Sequence, residues 1–535
     1  MLKRISNFLA FVTIGMLIIN CANRGSPQGG VKDTEPPVIT KSIPENYSTN
    51  FNSKEIKIYF DEYIKIKNLQ RNLIISPPMD PQPEITPLGT ASKYITIKIN
   101  DTLATNTTYA FNFGESIIDN NEDNPYPFYR YVFSTGNYID SLQVSGSISD
   151  ALDRTVEEFV SVMLYDVDST FTDSIVYKEK PKYITSTLDS TSNFTLDNLK
   201  AGKYLLVAIK DQNSDYKFQQ KTDKIGFVNE YISLPTDTSY TIELFKENVD
   251  FKATRPRLLA GQKIAFGYEG DHEAMKIKLL SNRPQDYMER ITKDQKRDTL
   301  FYWFKPEIAS DSLSFEVSHV NYSDTLNVKI KDQTKDSLVV TALQSRFIPF
   351  DGPFELEGSV PFESVNEQLI SIMDKDSILI KFNTSLDTLN NRLGIDFNKI
   401  ENNNYKVRLL PGAVTDFFED TNDTLNFNLK TRSFSDYGNL RLTLKNAKYP
   451  VIIQLIDEKN DLVAEKYATQ EAVLDFNNIL PNRYYLRVIF DDNGNRKYDP
   501  GIYLKKTQSE RVSYYPEVLE VRASWNLIEE FTLKD

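Results

Sequence analysis

The sequence predicts an all-β protein, a tandem series of antiparallel β-sandwiches behind an N-terminal export segment. Three observations carry the prediction. Short runs such as Ile56-Lys57-Ile58-Tyr59-Phe60, Ile95-Thr96-Ile97-Lys98-Ile99 and Tyr109-Ala110-Phe111-Asn112-Phe113 alternate with the period of a half-buried strand. They recur at 8–20 residue spacing with no helical period between them. A constant offset of 280 residues aligns Asn198, Tyr204, Leu206, Ile209, Asp211, Asn213 and Lys217 with Asn478, Tyr484, Leu486, Ile489, Asp491, Asn493 and Lys497, so one β module occurs twice.

The chain starts with a basic pair, Lys3-Arg4, and a mostly apolar run from Ile5 to Ile19. That run falls short of the roughly 20 residues that span a bilayer. A basic start, a short apolar core and a small processing region describe a secretory signal over residues 1–20. The run ends at Ile18-Ile19-Asn20-Cys21, and Cys21 is the single cysteine of the 535 residues. This site resembles a bacterial lipobox, although Asn20 stands where Gly, Ala or Ser is usual. The resemblance implies cleavage before Cys21 and a cysteine that carries two or three acyl chains. Two chains are what stable anchoring takes. Residues 21–35 contain Gly25, Ser26, Pro27, Gly29 and Gly30 and read as a flexible tether. Its fifteen residues reach about 50 Å at full extension. In Bacteroidetes-like lipoproteins an acidic run after the cysteine marks surface export; Ala22-Asn23-Arg24 stands here instead. The expected location is the cell envelope, anchored by lipid to the outer membrane, with either face open.

The bulk numbers fit this picture. Hydrophobic residues make up 40% and aromatics 12%, enough for packed cores. With one cysteine there is no internal disulfide. A formal charge of −13 without basic clusters argues against nucleic-acid binding.

In order, residues 36–137 form the first sandwich. Pro36-Pro37, the strand ending at Phe60-Asp61, Tyr109 to Phe113 and the loop Asp119-Asn120-Asn121-Glu122 resemble the SbsA-like bacterial Ig-like domain. Residues 138–248 form the second. Its Phe194-Thr195-Leu196-Asp197-Asn198-Leu199, Gly202 and Tyr204-Leu205-Leu206 resemble the hairpin of the transthyretin-like or Cna-B-like prealbumin sandwich. Residues 249–332 read as a spacer sandwich through Lys263 to Tyr268, Leu300 to Phe304 and Leu313 to Val317. Residues 333–433 repeat the Ig-like pattern through Ile378 to Asn383, Tyr405 to Leu409 and the acidic loop Asp416 to Asp423. Residues 434–535 repeat the prealbumin-like pattern.

The one stretch with metal-ligand spacing is Asp491-Asp492-Asn493-Gly494-Asn495-Arg496-Lys497-Tyr498-Asp499. Asp491, Asn493, Asn495 and Asp499 place oxygens at alternate positions, as a calcium loop does. Arg496 takes the position of the invariant glycine, and Ile502 that of the bidentate glutamate. A polar turn bonded to its own backbone is the competing reading. Asp211-Asn213-Asp215 is a thinner earlier copy. The acidic loops at 119–123 and 416–423 read as solvated loop ends. Nine Asp-Ser/Thr-aliphatic triplets, from Asp101-Thr102-Leu103 to Asp423-Thr424-Leu425, combine turn residues with strand starts. They are also similar to the O-glycosylation acceptor of exported Bacteroidetes proteins. No catalytic constellation stands out in the sequence. His272 and His319 are the only histidines and read as packing or surface residues. There is no nucleophile elbow, no phosphate-binding glycine loop and no Cys-His cluster. The function expected is a non-catalytic envelope protein that binds a protein or glycan partner or scaffolds a complex. The alternatives are a polysaccharide-acting accessory module and a calcium-stiffened adhesin.

Overall fold

The structure, a computed structural model, describes residues 32–187 and 191–533. The signal, Cys21 and most of the tether lie outside the described residues. The chain is a nearly all-β protein of tandem β-sandwiches, with 48% strand and 4% helix among the described residues. Its α-helix among the described residues is one turn, Leu69–Asn72. No helix among them is long and apolar enough to cross a membrane. By their contacts the residues divide into two compact units. The first runs to Gln143 and adds Lys182–Thr185 and Leu196–Ala201. The second holds Val144–Pro181, Ser186–Thr195 and Gly202–Asp535.

In the first unit, one sheet runs in the order Ile39–Ile43, Glu55–Ile66, Ser92–Lys98, Glu84–Thr86, with Ile117–Asp119 paired to the far end of Glu55–Ile66. The facing sheet is Ile74–Ser76, Thr108–Asn112, Arg130–Ser134. Alternation places Ile56, Ile58, Phe60, Ile95 and Ile97 inward against Phe111, Phe113, Tyr131 and Phe133. Phe51 and Tyr109 stack on Phe133 at 3.9 and 5.4 Å between centroids. Arg130 Nη1 pairs with Asp197 at 2.6 Å, and Arg130 Nη2 donates to Asn198 Oδ1 at 2.9 Å.

The second unit contains four successive groups of strands. In the first of them, Gly202–Lys210 pairs antiparallel with Ser161–Asp166, Lys224–Phe227 and Ile232–Leu234. In the last, Asn482–Phe490 pairs antiparallel with Val451–Ile456, Val512–Tyr514 and Leu519–Val521. The two groups also share a ladder that departs from the antiparallel expectation. Ser239–Leu244 runs parallel to Leu142–Asp150, and Asn526–Thr532 runs parallel to Gly438–Lys445. The 280-residue offset is therefore structural. Asn198 and Asn478 have φ of 59° and 56°, and Tyr216 and Arg496 have φ of 60° and 65°. Asparagine tolerates the left-handed region better than most residues, which is why it holds the same irregular position near the end of both strands, Asn193–Leu199 and Val473–Ile479.

The two groups between them are also two-sheeted. Lys263–Glu269, Thr299–Lys305 and Met288–Lys293 face Lys276–Leu279, Ser312–His319 and Tyr322–Lys329. Phe354–Gly358, Arg392–Phe397 and Phe382–Asp387 face Ile370–Met373, Asn404–Leu409 and Leu425–Lys430. One expected strand starts later than its apolar run. Asp374 Oδ1 accepts the N–H of Asp376 and Ile378, turning the chain, so the strand begins at Phe382. Ile378 and Leu379 stay 58% and 68% exposed. These two groups meet through buried Trp303, Val360 and Phe417, with Arg290–Glu363 at 2.6 Å and Lys305–Glu419 at 3.1 Å.

The last group packs back on the first group of this unit, which the tandem order of the sequence does not reveal. Tyr503 is fully buried, with its ring edge-on to Phe227 at 5.3 Å. Its N–H donates to Glu247 Oε1 at 2.6 Å. Gln508 Nε2 donates to the Phe227 carbonyl, Ser509 Oγ to Glu243, and Tyr514 Oη to the Leu152 carbonyl.

Candidate functional site

The loop Asp491–Asp499 follows the strand Asn482–Phe490 directly, and the structure brings the four expected ligands together. Asn493 and Asn495 both point their amide Nδ2 at Asp499 Oδ2, the second at 2.7 Å. Asp491 is fully buried, and its two carboxylate oxygens accept the N–H of Asn495 and Arg496, each at 3.0 Å. Asn493 Oδ1 accepts the same Asn495 N–H at 2.9 Å, and Asn495 Oδ1 accepts that of Lys497 at 2.7 Å. The oxygens are thus engaged within the loop. Among the described residues no group of three or more His, Cys, Asp or Glu is arranged to hold a metal ion.

Sequence reading missed the residue that closes this loop. Glu510, from the far side, accepts the N–H of Asp492 and of Asp499, each at 3.0 Å. Burial raises its carboxyl above the ordinary 4.5, against the pull of those two N–H groups. The earlier copy works alike. Asp211 accepts the N–H of Asn213, Ser214 and Tyr216 at 2.9, 2.8 and 2.7 Å, and fully buried Asp223 accepts that of Gln212 at 3.2 Å. Nothing local in the sequence ties Glu510 or Asp223 to these loops; each comes from beyond the turn that it closes.

The acidic loops are corrected by the structure. Their leading aspartates are buried, not solvated. Asp119 is 1% exposed. Its Oδ1 accepts the N–H of Asn121, Glu122 and Asp123 at 2.8, 2.7 and 3.0 Å, and its Oδ2 that of Asn124 at 3.0 Å. Burial pushes this carboxyl up, but the four N–H donors outweigh it and hold it below the ordinary 3.8. Asp416 holds the equivalent corner with fewer donors. Its Oδ1 accepts from Phe418 and Asp420 at 2.8 and 2.9 Å, its Oδ2 has no hydrogen-bond partner, and burial raises its carboxyl.

Asp119→Ala removes the buried carboxylate that four loop N–H groups share and is expected to cost about 2 kcal/mol at pH 7. Because the folded carboxyl lies below its unfolded value, its stabilisation is complete above pH 3.8 and fades as pH falls through the lower folded value. Urea melts of wild type and variant should therefore converge on acidification. An equal gap at pH 7 and at pH 3 would count against the assignment.

The remaining candidates are structural. His272 stacks on Tyr268 at 5.3 Å, and burial holds its imidazole below 6.5. His319 stacks on Phe251 at 4.3 Å. A cleft of about 530 Å³ is lined by Lys263, Asp294, Phe301, Trp303, Asp336 and Asn390, among others. Its Asp336 pairs with Lys263 at 2.9 Å, and its Asp294 accepts the N–H of Lys296. In seven of the nine triplets the hydroxyl residue is exposed; Ser174 and Thr299 are half-buried.

The surface-layer protein SbsC, domains 1–6, aligns at 9% identity with a TM-score of 0.16, over 91% of this chain and 67% of that one. The Bacillus anthracis TIE protein aligns at 10% with a TM-score of 0.15, over 95% and 76%. The Bacteroides ovatus mixed-linkage glucan utilization protein SGBP-B, solved with a heptasaccharide, aligns at 10% with a TM-score of 0.19, over 70% and 93%. No curated protein matches the chain. Residues 33–135 match the model of the bacterial Ig-like domain, and that segment is the first sandwich described above.

Proposed function

We propose that this chain is a non-catalytic binding or scaffolding protein of the bacterial cell envelope, held to a membrane by lipid on Cys21. The observation that carries the reading is the order of its parts. A basic and apolar leader ending in the single cysteine is followed by a short tether and then by a segment that matches the bacterial Ig-like domain. Support comes from the way the polar groups are used. The carboxylates with the most suggestive spacing hold turns, and both histidines pack on rings. A sandwich series of this kind presents broad sheet faces and loop ends to a partner, as binding domains do.

The anchor has a direct test. In cells, the wild-type chain should partition into detergent and sediment with membranes. Cys21→Ser should move it to the soluble fraction, because removing the acyl chains removes what takes two chains to supply. A Cys21→Ser chain that still sediments with membranes would sink the lipid assignment. Crosslinking in intact cells, read by mass spectrometry, would then name the partner.

A further inference from the structure

The repeated sandwich of the second unit differs between its two copies in one place. Ile225 pairs with Ile209 and Val512 with Ile489, so Asp223 and Glu510, two residues before each, are equivalent. Glu510 follows Asp491 by 19 positions where Asp223 follows Asp211 by 12, so the later copy carries seven more residues. The added length forms a knob. Ile502 and Thr507 exchange N–H···O bonds at 2.8 and 3.1 Å around the single turn Tyr503–Lys505, which closes the knob on itself. It sits in a socket of the first group of the unit. A Cβ on Gly501 would come within 2.5 Å of Phe245 Cζ. The Tyr503 ring lies 5.3 Å from Phe227 and 6.4 Å from Tyr177. Charge matches as well. The socket presents Asp173, Glu243 and Glu247, the knob carries Lys505 and Lys506, and Lys506 pairs with Asp173 at 2.6 Å.

The contact is separable on two counts. Tyr503 lies outside the apolar core of its own sandwich, which Leu442, Ile453, Leu486 and Phe531 fill, so the knob leaves without opening that core. Its hydroxyl is buried without a hydrogen-bond partner, a cost that a permanent core avoids with phenylalanine. An emptied socket exposes Phe227 and Phe245, each 2% exposed when filled, beside its carboxylates. What refits that shape and charge is a knob, and every copy of the chain carries one. Exchange of an identical element is a low-cost route to association. A chain's own knob wins in dilute solution, and a neighbour's competes as concentration rises.

We propose that the knob at residues 501–508 exchanges between copies, the Phe227–Phe245 socket of one chain taking the Tyr503 knob of a second. The test is crosslinking of full-length chains in non-ionic detergent with a short bis-maleimide. All chains carry Cys21→Ser, so the added thiols are the only ones and the lipid reading is not involved. Gln508 Nε2 lies 2.9 Å from Asn229 Oδ1, which places both positions within the reagent's reach. One chain with Gln508→Cys and Asn229→Cys should link within itself. A Gln508→Cys chain mixed with an Asn229→Cys chain should give a linked dimer whose yield rises with concentration. Tyr503→Ala in the Gln508→Cys chain should lower that yield by about tenfold or more. Charge exchange tests the contact without removing the ring. Lys506→Glu in the Gln508→Cys chain and Asp173→Lys in the Asn229→Cys chain set like charges together within each chain and opposite charges between them. The linked dimer should then increase by about tenfold. No linked dimer from either pair, or a yield that the charge exchange leaves unchanged, overturns the proposal.

Discussion

Gly146→Val is expected to destabilise its sandwich by more than about 3 kcal/mol and to give mostly insoluble protein. Gly146 sits in the parallel ladder opposite Tyr240. A Cβ there would collide with the Tyr240 carbonyl oxygen and would come within 2.7 Å of Phe194 Cζ. Neither obstacle can give way. The carbonyl belongs to the ladder, and Phe194 is 3% exposed in the core. The clash therefore resolves only by separating the strands, which exposes Ile148 and Ile242. The useful comparison is Gly352→Ala. Gly352 has φ of +79° but nothing within 4 Å of a built Cβ, so its substitution should cost only the backbone strain of about 1 kcal/mol. Melting of the two variants separates collision from strain. Near-equal melting temperatures would mean that the Gly146 ladder is not as closely packed as described.

The second large effect is expected at Tyr503. Tyr503→Ala removes a fully buried ring from the place where the last sandwich returns to the earlier one and should cost about 4 kcal/mol. The ring contacts Phe227, and the Lys506 ammonium lies 4.2 Å from its centroid while pairing with Asp173 at 2.6 Å. The Tyr503 hydroxyl is buried without a hydrogen-bond partner, so Tyr503→Phe should be nearly neutral or slightly stabilising. Hydrogen exchange is the informative readout, because a chain with several sandwiches need not melt in one step. The alanine variant should lose protection together in residues 500–511 and 225–247, and the phenylalanine variant in neither. Loss confined to 500–511 would show that the loop packs without supporting its neighbour.

Much of the fold was legible residue by residue. Ile56, Ile58 and Phe60 alternate inward as their spacing demands, and the fully buried Phe111 and Phe113 do the same on the facing side. A period-two pattern can satisfy a two-sided sheet in only one register, which is why it is readable. The apolar run at Ile378 misled because Asp374 turns the chain there, and a side-chain hydrogen bond outranks strand propensity. Asp491, Asn493, Asn495 and Asp499 have the spacing of a calcium loop in the sequence, and in the structure they lie in one loop bonded to itself. Their hydrogen bonds to one another were not readable, because spacing is the same for a cation ring and for a turn closed on itself. Asp119 was misread because burial of a carboxylate depends on how many N–H groups the surrounding loop turns towards it.

The sequence by itself determined the sandwich architecture, the positions of many of the buried central strands and the repeat at 280 residues, since each follows from local alternation and from the residues that tolerate a left-handed backbone. Only the tertiary structure decided the parallel ladders, the closing of both loops by Glu510 and Asp223, and the seat of Tyr503 against Glu247. Ser239 meets Ser145, and Tyr503 meets Glu247, across long stretches of chain. Such meetings are selected by complementarity between finished surfaces, and no local propensity encodes them.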